Sequence, residues 1–396
     1  MSKTIVKNSE GMQTPFLRGI LTSSLMDVGI EFDQAYFLAS KIRQLINDKQ
    51  QVTTLELRDI VISKLKGEVA QDIIECFTST TSNESTIMVT DAEKVSVPFS
   101  RAQHRLCMES CGLSSFESNS ITLTIYNNLL ARGADEISSN ELGRMTYQLL
   151  LSELDENVAK RYLIWSDFLH SGHPLIILIG GTAGVGKSTI ATEVGHRFGI
   201  VRTQSTDMLR EVMRIMTPQR LSPVLHTSSY NAWKAQPGID TDEPMTEQLV
   251  VDGYLRQAEL LSVACEAILN RAIKEQVSII LEGVHFHPGL LEILPNMESA
   301  IVAPIMLSVL KAGKLKERLK GRGLKVLERR SERYLKHFAE IWELQSFLMA
   351  EADRHNVPIV SNIDKERAIQ DVMENINDIL FPYFSYDIDK VFPHET

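Results

Sequence analysis

At 396 residues the chain has room for two or three domains whose cores need no covalent staples. Hydrophobic residues make up 43% and charged residues 23%, a globular balance that argues against disorder. A net charge of −10 argues against a sequence-independent nucleic-acid binder, and 4 cysteines in so long a chain do not make a disulfide scaffold.

The first residues carry no apolar signal core, and the longest apolar runs (175–179 and 279–281) are strand-sized, far short of a membrane span. A cytoplasmic protein with neither nucleic acid nor membrane as partner is therefore expected. Residues 1–150 look repeated. Pro15-Phe16-Leu17-Arg18 opens an amphipathic run toward Gly29, and Pro98-Phe99-Ser100-Arg101 opens a similar run toward Gly112. After a two-residue slip, Val52 to Leu57 matches Ile137 to Leu142, and both copies carry the Ser/Thr-x-x-Glu signature of a helix start. Each copy reads as three or four short helices with a strand in front (4–7 and 86–90), and the Ser/Thr-rich stretch 78–85 reads as a linker. Cys107 and Cys111 stand one helical turn apart near His104, half of a metal site, but without a fourth ligand they read as buried thiols.

After a helical bridge (157–170) the pattern changes to strands alternating with helices. Strands are expected at 175–179, 201–206, 277–281, within 300–309, and at 357–360. Helices are expected at 188–198, 208–216, 248–275 and 368–380. Such alternation predicts an α/β fold, a parallel sheet with helices on both faces. The boundaries expected are 1–77 and 86–156 for the repeats and 157–396 for the α/β domain.

Gly181-Thr182-Ala183-Gly184-Val185-Gly186-Lys187-Ser188 follows the first of these strands and opens the next helix. In that context the loop wraps phosphate oxygens with backbone N–H groups at the positive end of a helix. Lys187 is expected at the β- and γ-phosphates, Ser188 at Mg²⁺, and Thr189 near the α-phosphate of ATP. Ser205-Thr206-Asp207 ends the second strand at the carboxyl edge of the sheet, where ligands bind in open α/β folds. Arg210 and Arg214 follow on one helix face, so Asp207 can take a hydroxyl proton while the arginines fork onto an anion. Glu282 ends the third strand as a second candidate for Mg²⁺, Gly283 would admit a ligand, His285 is expected at the substrate, and His287 in loop packing. A cluster of ten Lys and Arg between Lys311 and Arg333 reads as a lid over the phosphates, with Arg318 and Arg322 on one face.

Taken together, the loop, the Ser205 to Arg214 segment, Leu281-Glu282-Gly283-Val284-His285, the basic lid before Tyr334 and the Glu351 to Pro358 segment resemble the 2-phosphoglycerate kinase family. The resemblance spans about 174–380. It implies a P-loop kinase that transfers phosphate from ATP, with Mg²⁺, to the free hydroxyl of 2-phosphoglycerate. A kinase of another phosphorylated polyol, such as an inositol phosphate, is the alternative acceptor reading. A regulatory ATP-binding protein without turnover is the alternative of another class. The two repeats are similar to ATP-cone modules, but the first keeps only Lys7 of the usual basic pair and the second keeps neither. Packing or dimerisation is thus their expected role, which would make a homo-oligomer through the repeats.

Overall fold

The computed structural model describes residues 4–7, 13–26, 28, 30, 32–47, 49, 51–69, 73–74, 77, 87–133, 135–236, 238–239, 244–289, 300–325 and 329–394. The linker expected at 78–85, the segment 8–11 and the side chains of Arg322, Arg329 and Arg330 lie outside the described residues. The chain divides into two compact units, Met1–Arg105 with Ser115–Leu142, and Leu106–Ser114 with Gly143–Thr396.

Between residues 5 and 153 the repeat is explicit. Strand β1 (Ile5–Lys7) pairs antiparallel with β2 (Gln13–Pro15) and parallel with β3 (Gln51–Thr53). Helices α1 (Arg18–Met26) and α2 (Phe32–Ile46) connect β2 to β3, and α3 (Thr54–Leu65) follows. The second copy repeats this order as β4 (Met88–Thr90), β5 (Ser96–Pro98), α4 (Arg101–Ser110), α5 (Ser115–Ala131), β6 (Glu136–Ser138) and α6 (Ser139–Glu153), again with one antiparallel and one parallel pair. From Ile5 to Met88 is a shift of 83 residues and from Gln51 to Glu136 a shift of 85, which is the two-residue slip seen in the sequence. Both predicted helix starts are capped. Thr53 Oγ1 accepts from the Glu56 N–H at 3.2 Å while Glu56 accepts from the Thr53 N–H at 3.0 Å, and Ser138 Oγ accepts from the Glu141 N–H at 3.2 Å. Leu25, Leu38, Ile42 and Leu65 form the buried core of the first copy.

The second unit holds α7 (Glu156–Ser171), β7 (Leu175–Gly180), α8 (Lys187–Arg197), β8 (Thr203–Ser205), α9 (Thr206–Met216), α10 (Glu247–Lys274) and β9 (Ile279–Gly283). It continues with β10 (Ile301–Ser308), α11 (Ala312–Lys325), α12 (Arg329–Lys336), α13 (Phe338–Arg354), β11 (Ile359–Ser361), α14 (Lys365–Leu380) and α15 (Ile388–Val391). The strands form one sheet in the order β11-β10-β7-β9-β8, every pair parallel. Every residue of β7 and β9 is buried, so β7 and the Ile279–Leu281 stretch of β9 read as apolar runs rather than alternating ones. The chain leaves β7 toward β8 and β9 on one side and later crosses to β10 on the other. The strand order therefore reverses at β7, and a ligand crevice is expected at its carboxyl end. The end of the aromatic tail is packed: Phe392 is buried, stacks on Tyr162 with ring centroids 5.8 Å apart, and accepts from Arg144 Nε through its carbonyl at 2.7 Å, while Tyr383 and Tyr386 stay exposed. Among the described residues no helix is long and apolar enough to cross a membrane.

Candidate active site

The loop after β7 has the backbone its glycines predict. Gly181, Gly184 and Gly186 take φ of 137°, 91° and 92°, a region that L side chains rarely enter. A Cβ on Gly186 would also sit 2.6 Å from Asn362 Nδ2, which donates to the Val185 carbonyl at 2.7 Å. Lys187 opens α8 with its side chain buried, and its Nζ donates to the Thr182 carbonyl at 2.9 Å, folding the ammonium back over the loop. Ser188 and Thr189, the next two residues, are exposed.

Glu282 arrives from β9, in register with Ile179 of β7 on one side and Ser205 of β8 on the other. Its carboxylate is buried and accepts the Ser188 hydroxyl at 2.9 Å. A buried carboxylate without a partner is costly, and that hydrogen bond meets part of the cost. Gly283, expected to admit a ligand, instead admits Thr206. A Cβ at Gly283 would fall 1.7 Å from Thr206 Oγ1, so the glycine is what lets α9 begin against the end of β9.

Asp207 occupies the first turn of α9 with its side chain well exposed, and Arg210 Nε stands 4.0 Å from its Oδ1. Arg210 and Arg214 share the carboxylate of Glu211, at 3.3 and 2.7 Å, a partner the sequence reading did not single out. The Arg210 Nη1 also donates to the Thr227 carbonyl, on the turn between two short 3₁₀ helices, Pro223–His226 and Ser229–Ala235. His285, expected at the substrate, is buried, and both its ring nitrogens are held by the protein. Its Nε2 lies 3.0 Å from Gln257 Oε1 and its Nδ1 lies 2.9 Å from Thr206 Oγ1. Burial lowers its pKa to about 4, so the ring is neutral at physiological pH. His287 packs as expected, stacked on Phe347 with centroids 5.6 Å apart and facing Glu351 at 3.3 Å.

From the basic segment expected to form a lid, Arg318 of α11 lies against the Gly181–Ser188 loop. It donates to the carbonyl of Ile363 at 3.2 Å and to Val185 O and Asn362 Oδ1 at 3.4 Å each. Partial burial pulls its pKa below the ordinary guanidinium value. Asn362, just past β11, thus ties the loop to the lid arginine; its place at the carboxyl end of the last strand was its one sequence signal. The side chain of Arg322 lies outside the described residues. Cys111 is fully buried and accompanied by Cys107, His104 bonds Thr122 through Nδ1 at 2.9 Å, and no metal-holding cluster occurs among the described residues.

Phosphate loop, buried acid, exposed carboxylate and two arginines thus gather at the carboxyl ends of β7, β9 and β8. No family model matches the chain. Several proteins named 2-phosphoglycerate kinase are similar to it. The one from Pyrococcus horikoshii is 36% identical over 290 residues, 73% of this chain and 93% of that protein. Those from Methanopyrus kandleri and Pyrococcus furiosus are 36% and 37% identical, over 71% and 72% of this chain and 84% and 90% of theirs. Residues 157–396 number only 240, so a match of 290 residues includes at least 50 residues before 157 and reaches into the repeats. On these similarities the chain belongs to the 2-phosphoglycerate kinase family.

Proposed function

We propose that this protein is an ATP-dependent kinase that phosphorylates the free hydroxyl of 2-phosphoglycerate to give 2,3-bisphosphoglycerate. The observation that carries the reading is the placement of Asp207 and Arg210 just past the carboxyl end of β8, two strands from the β7 strand that leads into the Lys187–Ser188 loop, with Glu282 of β9 between them. A phosphorylated acceptor held there brings its hydroxyl toward the γ-phosphate of ATP in the loop.

In this reading Asp207 accepts the hydroxyl proton as the acceptor oxygen bonds to the γ-phosphorus. The bond from that phosphorus to the β–γ bridging oxygen breaks, and ADP departs with the electron pair. Lys187 and the loop N–H groups hold the transferring oxygens, and Arg318 adds positive charge from the lid side. The residues also fit Mg²⁺, which asks for hard oxygen donors and few protein ligands. The Ser188 hydroxyl and the Glu282 carboxylate lie 2.9 Å apart. When bound, the ion supplies charge neutralisation on the β- and γ-phosphates. Residues 1–77 and 86–156 are assigned a packing or dimerisation role, and residues 157–396 the chemistry.

Label transfer from γ-labelled ATP to a panel of phosphorylated metabolites tests the acceptor. The expected result is transfer to 2-phosphoglycerate in preference to inositol phosphates and other phosphorylated polyols. Preferential labelling of an inositol phosphate would replace the acceptor while keeping the kinase.

A further inference from the structure

Two arginines from separate parts of the second unit reach neighbouring residues of one turn. Arg210, on α9, donates through Nη1 to the Thr227 carbonyl. Arg333, on α12, donates through Nη2 to Ser228 Oγ at 2.8 Å. Helix α12 is docked beside this turn by Tyr334, whose ring lies 6.0 Å from that of Tyr230. The partners of both contacts are neutral, a carbonyl and a hydroxyl, which a phosphate dianion outcompetes for guanidinium donors. Arg210 also keeps a buried Nε–H without a hydrogen-bond partner. Its other terminal nitrogen shares Glu211 with Arg214.

Beneath the turn lies a fully buried glutamine. Gln257 Nε2 faces two carbonyls, Val224 O at 2.5 Å and Thr227 O at 3.2 Å, so the amide nitrogen must point there and its Oε1 must face His285. The His285 Nε2 then carries the proton, and its Nδ1 accepts from the Thr206 hydroxyl. A closed path results: from Thr206 at the start of α9, through His285 and Gln257, to the Thr227 carbonyl that Arg210 of the same helix grips. Every member of the path has its partner, the condition under which a buried polar network rigidifies its surroundings.

We propose that the Thr227–Ser228 turn is the seat of the acceptor's phosphate monoester, with Arg210 and Arg333 as its cationic arms and Gln257 and His285 as the positioning residues that hold it. This rests on reading the protein as a kinase of a phosphorylated acceptor. It adds Arg333 to the binding set and moves His285 from contact to support.

Calorimetric titration with inorganic phosphate reads the seat without assuming an acceptor. Arg333→Ala and Gln257→Met should each weaken phosphate binding about 10–100-fold, and Arg333→Lys should recover part of the loss. In kinetics with both substrates varied, the same changes should raise the KM for 2-phosphoglycerate by about 10–100-fold and leave that for ATP within about twofold, a split that general loosening of the fold does not produce. Because Arg333 is exposed, its variants carry the test even where Gln257→Met fails to fold. Equal phosphate affinity in wild type and Arg333→Ala overturns the seat. Arg333-dependent phosphate binding without transfer to 2-phosphoglycerate keeps the seat and removes that acceptor. Transfer to 2-phosphoglycerate with an acceptor KM untouched by Arg333→Ala keeps the kinase and removes the seat.

Discussion

Ser188 donates its hydroxyl to Glu282 across 2.9 Å, joining the first turn of the loop helix to the end of the neighbouring strand. In the kinase reading this pair supplies the protein's share of the Mg²⁺ site. Glu282→Gln keeps the shape and removes the charge. It should raise the Mg²⁺ concentration for half-maximal activity by about 10–100-fold, read from a Mg²⁺ titration at fixed ATP. An unchanged Mg²⁺ dependence in the folded variant would remove Glu282 from the site.

Asp207 is exposed at the start of α9, with no ion pair shorter than the 4.0 Å contact to Arg210 among the described residues, so its carboxylate stands open to a substrate hydroxyl. Asp207→Asn should lower kcat by about 10²–10⁴-fold with little change in either KM, as expected when a general base is lost. Arg214→Ala should instead act on the acceptor KM. A kcat for Asp207→Asn within a few fold of wild type would assign the proton to another group.

Among the described residues, His104 in the first unit and His285 in the second are held neutral by burial. His104 and His285 have pKa values lowered from 6.5 to about 4 by burial. The unfolded chain therefore binds more protons than the folded one between these values. Stability should be complete above about pH 6.5 and fall as pH drops toward 4, by up to roughly 3 kcal/mol per histidine. Urea midpoints measured from pH 7.5 to 4.5 check the sign. A midpoint that stays flat or rises on acidification would show that these rings are not held neutral.

Local rules made much of the fold legible. The strand–loop–helix around Lys187, the alternation that followed it, and the repeat with its two-residue slip all rest on patterns within a few residues, and the structure bears them out. What escaped depends on distant partners. Gly283 read as room for a ligand, but the room is taken by Thr206, 77 residues earlier in the chain. His285 read as a contact because its sequence neighbours are functional; its burial comes from Gln257 and Thr206 on other elements. Gln257 lies in the middle of a long amphipathic helix and looks like any polar helical residue until the fold buries it.

The edge of the second unit is another such case. The change of pattern after the helical bridge puts the start of the α/β domain at 157; residues 106–114 and 143–156 belong to the same compact unit as that domain. Ser110 Oγ donates to the Arg197 carbonyl at 2.7 Å, Asn377 Nδ2 donates to the Ser110 carbonyl at 2.9 Å, and Arg197 lies 3.7 Å from Glu109. Met108, Leu113 and Leu150 are buried as well. Each such side chain contributes roughly 1.5–3 kcal/mol, a large share of a typical 5–15 kcal/mol total. A chain beginning at 157 should thus melt well below full-length protein or fail to stay soluble. A truncation with an unchanged melting temperature would show that these segments are dispensable to the second unit.

In the proposed reaction the γ-phosphate of ATP held in the Lys187 loop passes to a phosphorylated acceptor. The most direct measurement follows ATP, Mg²⁺ and 2-phosphoglycerate with the protein by phosphorus NMR. The γ resonance should fall as two ester resonances of a single doubly phosphorylated product grow. Lys187→Ala should lower the rate by about 10²–10³-fold or more. Loss of the γ resonance to inorganic phosphate alone, or product formation at the wild-type rate by folded Lys187→Ala, would contradict that reaction.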